Sequence, residues 1–281
     1  MRNSTQIFEL IKKVANDDER ILAVYMNGSR VNPNVPKDEY QDYDVVFVTS
    51  DTKPYINNKE FILQFGNPSY MQLPDESPFF PNDKENSYGY LVQFDDGVRI
   101  DLTIQSVKYA LEHIKDDTLC KILLDKKSIL PEIPESSDLI YWVQKPSEEE
   151  FKACCNEFWW CSNNLAKGLA RKEILYVQDM TNFVVRKELE KMLGWKVGIK
   201  TNFSVSVGKS SKYISNWLSK EEYDEYLKTY FSCDILEAKK SIFLMCDLFD
   251  KVAREVSQKL NFEYDEIEAK NASNHLKKLN S

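Results

Sequence analysis

Along the first 130 residues the apolar positions change period several times. Ile7, Leu10, Ile11 and Val14 recur at helical spacing, which predicts an amphipathic helix over 5–16. Residues 21–26 form a short apolar run and residues 43–49 another, rich in Val and Phe; both read as buried strands. Between them lie Asn27-Gly28-Ser29-Arg30 and a loop carrying Pro33 and Pro36. Residues 66–89 scatter Pro68, Pro74, Pro78 and Pro81 among Asp, Glu and Asn, which reads as a long irregular loop of the kind that carries function. Residues 90–94 and 98–104 flank Asp96-Gly97, a two-residue hairpin signal, and 119–124 reads as a further strand.

The pattern changes over 131–146. Ser147 and Glu150 form a capping box that opens a long helical stretch, and Ser219 with Glu222 repeats it. Residues 147–170, 172–193, 220–231 and 234–260 read as helices, with Gly194 suited to a helix C-terminus and the last twenty residues to a frayed polar tail. Phe151, Cys155, Phe158, Ser162 and Leu165 follow a core-facing spacing, with Cys154 and Cys155 as packing residues. Trp159 and Trp160 point about 100° apart on a helix, so at least one belongs to the core. The reading is an α+β chain: a mixed sheet with helices over 1–145, then an all-helical domain over 146–281, with no internal repeat.

Composition narrows the function. Of 281 residues 42% are hydrophobic and only 8 are Gly, as in a globular chain. No apolar run reaches the ~20 residues of a membrane span, and no basic-then-apolar leader opens the chain; a cytoplasmic protein without membrane attachment is expected. The six Cys form no C-x-x-C pair and only two His are present, so reduced thiols are expected and a zinc site has little support. A net charge of -8 argues against a nucleic-acid partner and leaves room for a cationic small molecule.

The chemistry concentrates in Gly28-Ser29, Asp42-Tyr43-Asp44 and Asp101. Alternate residues of a strand share a face, so Asp42 and Asp44 point the same way. A turn at Asp96-Gly97 sets Asp101 opposite Val92, on one face with Arg99 and Thr103, and a strand beside 43–49 brings Asp101 to the aspartate pair. Three carboxylates on one face repel: their pKa values rise, or a divalent cation neutralises them. Oxygen donors without His or Cys suit Mg²⁺, whose shell is completed by water and substrate phosphates. Two such ions ~3.5–4 Å apart can clamp the attacking and leaving oxygens of a nucleotidyl transfer. Gly28 lets the backbone approach a phosphate, and the Ser29 hydroxyl adds a hydrogen bond.

Met26-Asn27-Gly28-Ser29-Arg30, Asp42-Tyr43-Asp44-Val45-Val46-Phe47, Met71-Gln72 and Phe94-Asp95-Asp96-Gly97-x-Arg99-Ile100-Asp101-Leu102-Thr103 together resemble the aminoglycoside 6-adenylyltransferases, streptomycin-modifying members of the polymerase β-like nucleotidyltransferase superfamily. The likeness continues through 159–179 and 208–218. It implies ATP bound at Gly28, Ser29 and Arg30, Mg²⁺ on Asp42, Asp44 and Asp101, and transfer of AMP to the 6-hydroxyl of streptomycin with release of pyrophosphate, giving antibiotic resistance. In that scheme Asp42 and Asp44 are catalytic through the metal, and Asp101 is general base, metal ligand or both. Lys167, Lys209 and Lys212 become candidates for the ATP phosphates; Asp75, Glu76, Asp179 and Trp160 become candidates for the drug's guanidinium groups, beside Asp83, Glu85 and Trp159. The helical domain is expected to close the nucleotide and aminoglycoside cleft, in a chain acting as a monomer. The same catalytic face would serve another aminoglycoside, a lincosamide or a protein hydroxyl, and a non-catalytic nucleotide-binding module is the reading from a different class.

Overall fold

A computed structural model describes residues 2–80 and 83–280; Pro81, one of the four prolines of the 66–89 segment, lies outside them. The chain forms two compact units, Met1–Ile140 and Tyr141–Ser281. The first holds a six-stranded mixed sheet with helices and the second is helical.

In the first unit the strands are β1 (Ile21–Asn27), β2 (Tyr43–Thr49), β3 (Pro68–Gln72), β4 (Ser87–Phe94), β5 (Arg99–Ser106) and β6 (Cys120–Asp125), in the order β3-β4-β5-β2-β1-β6. Among the described strands β2 and β5 run parallel and the other pairings are antiparallel. The helices are α1 (Ser4–Asp17), α2 (Lys53–Asn57) and α3 (Val107–His113). Alternation assigns the faces. Tyr88, Tyr90, Val92 and Phe94 of β4 and Ile100, Leu102 and Ile104 of β5 are buried in one core with Ile7, Ile11 and Val14 of α1. A smaller core on the opposite face gathers Ala23, Tyr25, Val46 and Val48 around Ala110 of α3. Asn3 and Gln6 close a capping box at the start of α1.

Two sequence expectations change here. The 66–89 segment is not an unbroken irregular loop: Pro68–Gln72 pairs with β4 as the sheet's edge strand. A proline is tolerated at a strand's first residue, so Pro68, which reads as a loop signal in the sequence, does not prevent this short strand. The hairpin closes on three residues rather than two. Phe94 N–H donates to Val98 O at 2.8 Å, and Asp95-Asp96-Gly97 form the loop, with Gly97 at φ +86°. Leu91, not Val92, therefore lies opposite Asp101.

In the second unit α4 (Glu148–Ala170) opens on the Ser147–Glu150 capping box and buries Phe151, Cys155, Phe158, Ser162 and Leu165. The Phe158 ring stacks on Phe249 at 3.7 Å. α5 (Ile174–Met180) passes through a wider π-turn, Thr181–Val185, into α6 (Arg186–Thr201). Gly194 does not end that helix. It is buried inside α6, which stops at Asn202 with φ +53°, the left-handed residue that caps a helix C-terminus. α7 (Lys220–Leu227) starts on the Ser219–Glu222 box, and α8 (Ile235–Leu260) is the longest helix described. The expected polar tail is instead α9 (Glu266–Leu279), capped by Asp265 and anchored by buried Ala269 and Leu276. Two apolar anchors a helical spacing apart sufficed, and the surrounding Asn and Lys residues hid them. All six cysteines are free thiols. Among the described residues no helix is long and apolar enough to cross a membrane.

One ion pair ties the chain start to the hairpin. Arg2 donates through Nε to Asp96 at 2.6 Å and through Nη1 to the Phe65 carbonyl. The bond from Arg2 holds the Asp96 carboxyl at about 2. A carboxyl whose folded pKa lies below its ordinary value stabilises the fold above pH ~4 and loses that contribution as the pH falls toward 2. Asp96→Asn should therefore lower stability at pH 7 by about 1 kcal/mol. The gap to the parent should close toward pH 2, as read by thermal unfolding across that range.

Candidate functional site

β1 delivers the chain to Gly28, whose N–H donates to the Leu119 carbonyl at 3.2 Å. Gly28 stands at φ +78°, ψ -157°, a conformation side chains disfavour, and a Cβ there would lie 2.2 Å from Asp44 Oδ2. Glycine is required at this position on both counts. A single helical turn, Ser29–Val31, follows. Two cations hold this turn against the next strand. The Lys37 ammonium donates to the carbonyls of Ser29 (3.0 Å), Arg30 (2.9 Å) and Asn32 (2.6 Å). The Arg30 guanidinium donates to the carbonyls of Asp42 (3.0 Å) and Gln41 (2.5 Å) and lies 3.6 Å over the Tyr43 ring. Arg30, expected at the nucleotide, is occupied in fixing the backbone that presents Asp42 and Asp44. Lys37 carried no sequence signal, since a lysine in a Pro/Asn-rich loop looks like any solvated charge.

The sheet register brings the carboxylates together. Asp44 pairs with Asn27 of β1 on one side and with Asp101 of β5 on the other. Asp42 precedes β2 by one residue. Arg99, two residues before Asp101 and on its face, grips Asp101 with two bonds, Nε to Oδ1 at 2.8 Å and Nη2 to Oδ2 at 2.7 Å. Its Nη1 also stands 3.5 Å from Asp42 Oδ2. Burial, with Asp101 and Asp42 as neighbours, raises the Asp44 carboxyl to about 6. Asp42 also rises, chiefly through burial, against the pull of Arg99. Among the described residues no three His, Cys, Asp or Glu side chains are arranged as a metal-holding group. The cation within reach of Asp42 and Asp101 is the Arg99 guanidinium, a role that strand periodicity alone could have suggested from its i−2 spacing.

Asp75 and Glu76 are engaged inside the first unit. Asp75 Oδ2 accepts the Gly89 N–H at 2.6 Å, while Glu76 meets Lys59 Nζ at 2.7 Å and Tyr88 OH at 2.9 Å. Both tether the Pro74–Glu76 turn to β4. Asp83 accepts the Asn86 amide at 2.9 Å. In the second unit Trp159 is core and donates Nε1–H to Tyr264 OH at 3.1 Å, whereas Trp160 is 69% exposed. Lys167 is half-buried in the last turn of α4, and Asp179 is exposed on α5. Lys209 and Lys212 are exposed on the turn after Gly208, with Lys212 Nζ 4.9 Å over the Tyr213 ring. Gly28, Ser29, Asp42, Asp44 and Asp101 thus form one locus of the first unit, and the side chains named in the second unit stand on three separate segments of it.

The whole chain has relatives. A family model described as streptomycin adenylyltransferase matches residues 1–279. An aminoglycoside 6-adenylyltransferase of Bacillus subtilis (strain 168) is 35% identical over 269 residues, 95% of each chain. One of Staphylococcus aureus is 34% identical over 99% of this chain and 98% of its own. A crystal structure of an aminoglycoside 6-adenyltransferase from Bacillus subtilis aligns over 99% of both chains at 31% identity, with a TM-score of 0.49. The family model over residues 1–279 and the two sequence relatives, with the Gly28 turn and the paired Asp44 and Asp101, agree: the chain belongs to the streptomycin adenylyltransferase family of nucleotidyltransferases.

Proposed function

We propose that this enzyme transfers AMP from ATP to the 6-hydroxyl of streptomycin, with Mg²⁺, and releases pyrophosphate. The reading rests on the in-register Asp44–Asp101 pair beside a turn where only glycine fits.

The residues at the site suit a hard divalent cation. The donors are carboxylate oxygens; burial raises Asp44 most, and the neighbouring Asp101 and Asp42 add a repulsion that a cation relieves. The neighbouring Asn27 Oδ1 is buried and has no hydrogen-bond partner among the described residues. Asp42 and Asp44 would hold the ion, and Asp101 would share it only by giving up one of its two bonds to Arg99; when bound, the ion supplies charge neutralisation for the phosphates. The rest falls to the chain itself. The Ser29 hydroxyl and the close-approaching Gly28 backbone seat phosphate oxygens. Arg30 and Lys37 keep that turn from moving. Asp101, oriented by Arg99, takes the proton of the attacking hydroxyl. The new bond joins that oxygen to the α-phosphorus as the bond from phosphorus to the pyrophosphate oxygen breaks.

Purified protein with ATP, Mg²⁺ and streptomycin should release pyrophosphate and give a drug product heavier by one adenylyl group in mass spectrometry. Release with another aminoglycoside, a lincosamide or a protein hydroxyl, but not with streptomycin, would replace the acceptor and keep the reaction. Asp101→Asn should cut turnover roughly 10²-fold or more with ATP affinity kept; equal losses of ATP and Mg²⁺ affinity would make it chiefly a ligand. Asp44→Asn separates chemistry from stability. A carboxyl raised from 3.8 to about 6 destabilises the fold once ionised, so the burden appears as pH rises through that interval. The variant should melt higher than the parent at pH 7.5, match it near pH 4, and turn over no substrate.

A further inference from the structure

The strand register orders the sheet face around the site. Residues directly opposite one another across strands share a face. One row therefore runs Asn27 (β1), Asp44 (β2), Asp101 (β5), Leu91 (β4), Gln72 (β3). The adjacent row toward the hairpin runs Arg99 (β5), Gln93 (β4), Tyr70 (β3). Val92, Ile100 and Leu102 point the other way into the core, so Leu91 and Gln93 look out on the carboxylate face. Both are part-exposed, Gln72 is exposed and Tyr70 is 71% exposed.

This order separates donor from acceptor. The phosphate turn at Gly28 stands at the end of β1, on one flank of Asp44; Asp101 stands on the other flank. A hydroxyl approaching the Asp101 carboxylate from the side away from the leaving pyrophosphate comes over β4 and β3. Those strands lie about 5 and 10 Å from Asp101, the span of a molecule of one or two sugar rings. We infer that Tyr70, Gln72, Leu91 and Gln93 form the acceptor floor, the specificity-determining surface for a polyhydroxylated cationic sugar, a deepening that rests on the proposed function.

The side chains match that ligand class. Leu91 gives an apolar seat beside Asp101 for a ring face. The Gln72 amide both donates and accepts, as a hydroxyl needs. Gln93 Nε2 is engaged with the Val98 carbonyl at 3.1 Å, which fixes the side chain and leaves Oε1 as an acceptor for guanidinium N–H groups. The exposed Tyr70 ring offers a face for a cation. Glu76 is ion-paired with Lys59, while Asp75 and Asp95 accept neutral N–H groups, from Gly89 and Asn67, and keep their charge at the margin of these strands for a cationic ligand.

Tyr70→Ala and Gln72→Ala replace exposed side chains and should leave folding intact, checked by thermal unfolding. Each should raise the Kd for streptomycin, titrated calorimetrically without nucleotide, about 5-fold or more. KM for streptomycin should rise in parallel, KM for ATP should stay within twofold, and Tyr70→Phe should retain parental affinity. Unchanged streptomycin affinity in both alanine variants, or an equal rise in KM for ATP, would overturn the acceptor floor while the reaction stands. A parent chain that neither binds nor adenylylates any aminoglycoside would remove the proposed function, and the floor with it.

Discussion

Two carboxylates placed side by side by a parallel strand pair dominate this molecule's N-terminal unit. Asp44 and Asp101 are in register, and the sheet offers no way to move one without breaking the ladder. The surroundings answer the repulsion with fixed cations. Arg99 binds both oxygens of Asp101 and reaches Asp42, while Arg30 and Lys37 bind backbone carbonyls around the same corner. Among the described residues no cation is ion-paired with Asp44, and burial raises its carboxyl to about 6. Such an arrangement stores electrostatic cost at the point where a ligand would relieve it, a pattern common to active sites.

Steric constraint works with the electrostatics. Gly28 lies so close to Asp44 that any side chain there would strike its carboxylate. The turn at Gly28 and the acid are thereby fixed by contact rather than by an intervening side chain. The Arg30–Tyr43 stack and the Lys37 bonds keep the loop between them from relaxing.

Much of this was legible before any coordinates. Strand periodicity over 43–49, which depends on neighbours along the chain, gave β2, and the order Gly28-Ser29, Asp42, Asp44 and Asp101 named residues that the sheet register brings together. The 147–170 helix was legible through its capping box and core spacing for the same reason. What escaped depends on partners distant in sequence or on single backbone angles. Gly97 in the left-handed region turned a two-residue loop into three and shifted every pairing of β5 with β4 by one. Asn202, not Gly194, adopted the left-handed cap, since Gly194 was held inside α6 by burial. The strand at 68–72 exists only because β4 offers it an edge, and Lys37 and Arg99 became structural cations only once the fold placed carbonyls and carboxylates around them.

The position of β3 at the rim of the sheet carries an evolutionary consequence. A central strand such as β2 is bounded on both sides by ladders, so change there is felt across the domain. A peripheral strand answers to one neighbour, and its outward residues to none. Duplicated genes could thus diversify that margin, substitution by substitution, while the inner machinery stayed untouched. Change at that margin would stay local, leaving the ladders that align Asp44 with Asp101 as they are.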